Sequence, residues 1–276
     1  MSCAASRSGR RTRCSPSGRW PAAKRSTSSR ATRLTRPRAL FLDLDDTLID
    51  GLGPEAVIRT CEEIAALHPE LDGARLAAVN AAVWEAYWPS VEDRWTLGEL
   101  SGAAVTLEAW RRTLRICGCA DEAVARQAAR IFRQQASASY RLFGDVRDLA
   151  ASARQARIPL ALITNGASDT QRDKLSALGI GQWFDAIVIS GEVGLAKPDP
   201  RIFEVALEAL GLGRDGVWHV GDSLAADVAG AKAAGVTAVW VNRSRLRRRD
   251  DDPEPDIEVP SLAELNPLLS AMRGCA

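Results

Sequence analysis

Acidic residues directly follow two short apolar segments of the sequence. Asp43 and Asp45 close the first segment, and Asp222 and Asp227 follow the other one, Val217–Gly221. If folding gathers these four carboxylates, a cation or protonation must relieve their mutual repulsion. A hard divalent ion with oxygen ligands does this best, and a chain with two histidines and no Cys-x-x-Cys pair favours Mg²⁺ over zinc. The pattern therefore predicts a magnesium site.

Uncharged and cationic donors follow two further apolar segments. Thr164 and Asn165 lie at the end of Pro159–Thr164, and Lys197 lies shortly after Ala186–Ser190. Mg²⁺ held by a few carboxylates usually keeps positions open for water and a substrate phosphate. A lysine can pair with a phosphate oxygen, while hydroxyl and amide groups donate hydrogen bonds to others. Together with the carboxylates, these residues predict a site for phosphoryl chemistry.

The apolar segments predict the elements that position these residues. Each is four to seven residues long, and they are Arg38–Asp43, Pro159–Thr164, Ala186–Ser190, Val217–Gly221 and Val236–Val241. Near-continuous apolar strands are typical of a parallel sheet that is covered on both faces. Helical patterns lie between them, so we expect a Rossmann-like, doubly wound α/β domain, whose ligands bind beyond the carboxyl ends of its strands.

One interval interrupts this alternation of strands and helices. Between residues 51 and 143 only amphipathic helical patterns occur, and we expect an all-helical cap domain inserted after the first strand. The catalytic core then comprises residues 38–50 and 144–276. Residues 1–37 are rich in Arg and Ser and lack acidic residues, which is typical of a disordered tail. A transit segment, a functional tail or an over-extended start remain alternatives for that part.

Four motifs in order resemble the haloacid dehalogenase superfamily. They are the Asp-x-Asp-x-Thr run Asp43–Thr47, the pair Thr164–Asn165, the pair Lys197–Pro198 and the Gly-Asp-x-x-x-x-Asp run Gly221–Asp227. The resemblance implies a phosphatase with a helical cap of that family's C1 type. The runs Leu162–Gly166 and Gln171–Leu175 are similar to those of its small-molecule phosphatases, including N-acylneuraminate-9-phosphatases and pyrimidine nucleotidases.

The resemblance also implies roles for individual residues. Asp43 would attack phosphorus and form an aspartyl-phosphate, and Asp45 would protonate the departing alcohol and then deprotonate the hydrolytic water. Mg²⁺ would lie between the carboxylates of Asp43 and Asp222 and the backbone carbonyl of Asp45. Haloacid dehalogenases resemble this chain but lack an acid at the position of Asp45, because a halide leaves without a proton. Asp45 therefore favours phosphoryl transfer over dehalogenation.

The remaining predicted site residues bind phosphate or support the site. Thr164, Asn165 and Lys197 would hold the phosphoryl oxygens. Asp227 would support the water shell of the metal or Lys197, Thr47 would shape the turn that carries Asp45, and Ser223 lies at a predicted helix start, where capping competes with function. Helix capping is also the alternative for the strand-terminal aspartates, and His219, within an apolar strand, is expected to be a core histidine.

Composition restricts the class of protein. The chain of 276 residues is 46% hydrophobic and 26% charged, as in ordinary soluble proteins. Ten arginines and Lys24 fall within residues 1–38, so the rest is net acidic and gives no reason to expect nucleic-acid binding by the core. No apolar run is long enough to span a membrane. We expect a cytoplasmic monomer or homodimer that acts on a small-molecule phosphate ester.

Two alternative functions remain open at this level. A phosphomutase would use the same aspartyl-phosphate to transfer the group between sugars. A non-catalytic binding protein with a basic tail is a second alternative, although such a protein has no need for Asp43 and Asp45 together.

Overall fold

The computed structural model describes residues 36–51 and 53–270. The predicted tail lies outside this range except for its last two residues. Six parallel strands form the central sheet in the order β5-β4-β1-β6-β7-β8. Their bounds are Ala39–Leu42 (β1), Leu160–Thr164 (β4), Ala186–Ile189 (β5), Val217–Gly221 (β6), Thr237–Val241 (β7) and Ile257–Val259 (β8). The predicted doubly wound α/β fold is confirmed.

The central strands are buried because apolar side chains cover both of their faces. All residues of β1, β4 and β6 are buried, as the near-continuous apolar runs predict. Leu42 of β1 is in register with Leu162 of β4 and Val220 of β6. The three strands therefore end at the same level, and the residues that follow them meet at one edge of the sheet.

Helices cover the two faces of the sheet. On one face lie helices α6 (Val146–Ala156), α7 (Ser168–Leu178) and α11 (Asn266–Ser270), with Leu149, Leu175 and Leu269 in the core. On the other lie α9 (Pro200–Leu210) and α10 (Ala229–Ala234), with Phe203 and Ala231 in the core. The short helix α8 spans Ser190–Val193, and a π-helical turn spans Leu224–Val228.

The insert after β1 is helical, as predicted. Its helices are α1 (Glu55–Leu67), α2 (Gly73–Tyr87), α3 (Glu92–Thr96), α4 (Gly102–Ile116) and α5 (Glu122–Ser139). They surround apolar clusters of their own, in which Trp110 and Ile131 are buried. Asp72, Ser101 and Asp121 accept hydrogen bonds from backbone N–H groups at the starts of α2, α4 and α5, the usual role of such residues.

Two small features differ from the sequence-based expectation. A two-stranded antiparallel ribbon joins the two ends of the helical segment. Its strand β2 (Ile49–Asp50) precedes the helices and pairs with β3 (Arg141–Leu142), which follows them. The edge strand β8, which follows the charged segment of residues 245–254, was also not predicted. Strands of two or three residues are too short for an alternating pattern to reveal them. In the part of the chain that the structure describes, no helix is both long and apolar enough to cross a membrane.

Candidate active site

Asp43 lies at the tip of β1, at the centre of the sheet edge. Its backbone N–H donates to the carbonyl of Val220 in β6 at 3.0 Å, which extends the pairing of the two strands by one residue. Only 6% of Asp43 is exposed. The carboxylate is thus almost completely removed from water.

A tight turn carries Asp45 out of the core. Asp46 adopts a positive φ of 59°, and its N–H donates to the carbonyl of Ile49 at 2.9 Å. The turn places Thr47 in the interior, where its hydroxyl donates a long hydrogen bond of 3.4 Å to Asp222. This position agrees with the predicted part of Thr47 in shaping the turn.

Lys197 connects the ends of two strands through its buried ammonium group. Its Nζ lies 2.5 Å from Oδ1 of Asp43 and 2.6 Å from Oδ1 of Asp227. Burial alone would lower the pKa of this lysine, but the two carboxylates outweigh burial and raise the pKa, so the group stays cationic. It is the positive partner that a phosphoryl site on carboxylates needs.

Asn165 fixes the backbone of Lys197. Its side-chain amide donates to the Lys197 carbonyl at 2.9 Å, and its side-chain oxygen accepts from the Lys197 N–H, also at 2.9 Å. Sequence reasoning placed this side chain on a phosphate oxygen, whereas in the structure its contacts are with the loop of the lysine. The side chain of Asn165 therefore positions the backbone of Lys197, and contact of either residue with phosphate stays a prediction.

Three carboxylates come close enough to share one small cation. One oxygen of each of Asp43, Asp222 and Asp227 lies within 4.8 Å of the others. The oxygens of Asp227 are already engaged, Oδ1 by Lys197 and by His219 at 2.9 Å, and Oδ2 by the N–H of Ser223 at 2.9 Å. Asp43 and Asp222 are less engaged than Asp227, and their predicted role as the metal ligands stays a prediction. Their oxygen donors fit Mg²⁺.

The carboxylates of the site repel one another, because the nearby positive charge does not balance their negative charges. Burial, then the charges of Asp227 and Asp46, raise the pKa of Asp222 to about 7. Burial raises the pKa of Asp43 well above its usual value, although Lys197 opposes the shift. For Asp227, by contrast, Lys197 and the hydrogen bond from His219 outweigh burial and lower the pKa. A divalent cation would relieve the remaining repulsion.

Two residues of α7 contact the site. They belong to the run Gln171–Leu175, whose resemblance to small-molecule phosphatases gave them no predicted role. Gln171 is buried, and its side-chain amide donates to Oγ1 of Thr164 at 2.5 Å and to Oδ2 of Asp45 at 3.0 Å. The ammonium of Lys174 lies 2.7 Å from both carboxylate oxygens of Asp45. Their spacing of three residues places them on one helix face, but the sequence does not show which residue that face meets.

The remaining predicted residues lie behind the carboxylates. Ser223 accepts a hydrogen bond from the N–H of Ala226 at 3.1 Å, so it caps the π-helical turn while its own N–H holds Asp227. His219 is buried against Phe203, and Nε2 contacts Asp227. The expected core histidine thus also holds the carboxylate that contacts Lys197.

Comparisons with known proteins agree with this arrangement. Residues 37–235 match the model of the family described as haloacid dehalogenase-like hydrolase. The chain is 36% identical to a phosphoserine phosphatase of Thermus thermophilus over 83% of this chain and 97% of that protein. It is 28% identical to the human N-acylneuraminate-9-phosphatase over 87% and 96% of the two chains. A 2-haloacid dehalogenase from Pseudomonas syringae, 27% identical, superposes with a TM-score of 0.60 over 84% of this chain and 97% of its own.

One class of hydrolytic enzymes combines these features: an α/β core, carboxylates at the tip of its first strand, and a helical insert after that strand. The chain belongs to the haloacid dehalogenase-like hydrolase family. The resemblance inferred from the four motifs, and with it the prediction of an enzyme, is confirmed.

Proposed function

We propose that this protein is a phosphatase that hydrolyses a small-molecule phosphate monoester through an aspartyl-phosphate on Asp43. The observation that carries the proposal is the contact of the buried Lys197 ammonium with Asp43, at 2.5 Å, next to the carboxylate of Asp222. This cluster offers a nucleophilic oxygen, a fixed positive charge and oxygen ligands for a metal in one closed place. Two relatives that the chain matches over most of its length are named as phosphatases.

The first step would transfer the phosphoryl group to the enzyme. An oxygen of Asp43 attacks phosphorus while the bond to the ester oxygen breaks, and Asp45 gives its proton to the departing alcohol. Lys197 pairs with a phosphoryl oxygen, and the Thr164 hydroxyl donates to another. In the second step Asp45 takes a proton from water, which attacks phosphorus, releases phosphate and restores Asp43.

Asp43 and Asp222 would hold Mg²⁺ together with the backbone carbonyl of Asp45. The ion would offset the negative charge of the phosphoryl oxygens and orient the group. Asp227 would keep Lys197 in place, since both of its oxygens are engaged by donors from this chain.

The presence of Asp45 favours a phosphatase over a dehalogenase. The chain shares its fold with a 2-haloacid dehalogenase, so the fold alone does not decide between the two reactions. An alcohol leaves a phosphate ester with a proton, whereas a halide leaves as an anion. The carboxylate of Asp45 is partly exposed, with 41% of its side chain accessible, which supports a role at the open side of the site.

The insert would close over this site and exclude water from the phosphoryl-enzyme. Oγ of Ser190 donates to the carbonyl of Thr96 at 2.5 Å, so the end of α3 contacts the core beside the site. The ribbon of β2 and β3 connects the insert to the core, and we propose that closure bends the chain there, near the predicted boundaries at 51 and 143.

Phosphate release measures the proposed activity directly. We expect the purified protein to hydrolyse p-nitrophenyl phosphate in the presence of Mg²⁺ and to stop when EDTA removes the metal. A screen of sugar phosphates, nucleotides, phosphoserine and other phosphate esters would then rank substrates. Recovery of a second phosphorylated sugar instead of free phosphate would favour the phosphomutase alternative.

The variant Asp43→Asn tests the nucleophile. We expect at least about a 10³-fold loss of kcat, because the amide cannot form the acyl-phosphate. Asp215→Asn provides the matched control, since Asp215 is exposed in the loop before β6 and undergoes the same chemical change. Trapping of a phosphorylated aspartate at position 43 by borohydride reduction would support the intermediate. Full activity of the Asp43→Asn protein would refute the mechanism.

A further inference from the structure

The contact of Lys174 with Asp45 differs from an ordinary surface ion pair. Only 12% of its side chain is exposed, and its ammonium contacts both oxygens of Asp45 and Oε1 of Gln171, each at 2.7 Å. An ammonium removed from water requires partners of this kind, because an unpaired buried charge is very costly. The contact is therefore part of the packed structure of α7.

Gln171 completes the set of donors around Asp45. It lies one helical turn before Lys174 and is fully buried, and its amide bridges Oδ2 of Asp45, at 3.0 Å, to the hydroxyl of Thr164. The carboxylate of Asp45 extends from an irregular turn, where several side-chain rotamers are open to a residue without partners. Donors from a regular helix restrict it to one orientation.

We propose that Lys174 and Gln171 are positioning residues that hold Asp45 in line with the leaving group. The inference rests on the proposed function, in which Asp45 transfers a proton to the ester oxygen. Proton transfer requires donor and acceptor at hydrogen-bond distance, so a carboxyl group that rotates away loses most of its effect. The contact with Lys174 favours the carboxylate form of Asp45, so Asp45 must first bind a proton. It gives this proton to the ester oxygen as the bond to phosphorus breaks and regains one from the attacking water in the second step, while Lys174 keeps its three protons.

The dependence on the leaving group distinguishes positioning from general support of the fold. p-Nitrophenolate leaves readily without a proton, whereas phenolate, of nearly the same shape, depends more on one. We expect Lys174→Met to lower kcat/KM for phenyl phosphate by at least about tenfold more than kcat/KM for p-nitrophenyl phosphate, within the range attributed to general acids. We use kcat/KM because it reports the steps up to release of the alcohol, whereas kcat also contains hydrolysis of the aspartyl-phosphate, which is the same for both esters.

The same helix supplies a matched control. Arg172 forms an ion pair with Glu192 through two bonds of 2.8 Å, and 48% of its side chain is exposed. Arg172→Met removes a charge and an ion pair from α7 without touching Asp45. We expect the ratio of the two kcat/KM values to stay at that of the unmodified protein.

Two further variants make each outcome decisive. Asp45→Asn should show the same selective loss; if it affects both esters equally, the proposed role of Asp45 fails and the inference falls with it. If Asp45→Asn is selective and a folded Lys174→Met is not, the positioning role alone is refuted. If Lys174→Met does not fold, Gln171→Met decides by the same ratio, because it removes a donor to Asp45 without leaving a buried charge.

Discussion

The metal-free protein should become more stable when Asp222 loses its charge. Its pKa is raised to about 7, from 3.8, by burial and by the neighbouring carboxylates. An acid whose pKa is higher in the folded state binds more protons there, so its ionisation destabilises the fold progressively above the unfolded pKa. The penalty is absent below about pH 4 and complete above about pH 7.

The size of this effect follows from the pKa. A difference of about three units corresponds to about 4 kcal/mol, and we expect Asp222→Asn to recover about 2–4 kcal/mol at pH 8 because partial exposure and salt weaken the repulsion. For a chain of this size, that gain raises Tm by roughly 4 °C or more. At pH 4 the two proteins should differ little.

Thermal unfolding in EDTA at pH 4 and pH 8 measures this difference, with Asp215→Asn as the control for a surface aspartate. Mg²⁺ should stabilise the unmodified protein more than the variant, since the ion relieves the same repulsion. If Asp222→Asn is no more stable than the unmodified protein at pH 8 in EDTA, the carboxylates do not repel one another as argued and the case for a metal there weakens.

Two other contacts give predictions of direction and size. Arg243 donates to both oxygens of Asp145, at 2.9 and 3.0 Å. Arg243→Met should therefore lower the free energy of unfolding, measured by urea titration at pH 7, by about 2–3 kcal/mol. Because this contact lowers the pKa of Asp145, the loss should fade as the pH falls below about 4, and an undiminished loss at pH 3 would contradict the argument. Asp169 of the core accepts hydrogen bonds from the N–H groups of Gly102 and Ala103 at the start of α4, at 2.8 and 2.9 Å. Asp169→Ala should therefore weaken closure of the insert by about 1 kcal/mol and raise KM several-fold, and an unchanged KM would contradict this.

Much of the fold could be predicted because its three central strands are fully buried. A buried parallel strand is apolar on both faces, so runs such as Val217–Gly221 are visible without an alignment. The register of such strands then places Asp43, Thr164 and Asp222 at one edge of the sheet. Helices with apolar faces, such as Glu55–Leu67, are equally evident.

The parts that could not be predicted depend on tertiary geometry. Whether the Asn165 amide meets phosphate or the Lys197 backbone depends on the path of a loop 32 residues further along the chain. Lys174 resembles any other lysine of an exposed helix until α7 is packed beside the turn of Asp45. Arg243 belongs to an arginine-rich run, and its sequence gives no sign that it reaches Asp145.

The close contacts between the insert and the core limit which substitutions the insert can accept. A side chain at Gly102 would overlap Thr170 of α7, and one at Gly98 would overlap the backbone of Gly191. A bulkier residue at either glycine would therefore push the insert away from the core, so we expect sequence variation of the insert at positions away from these two contacts.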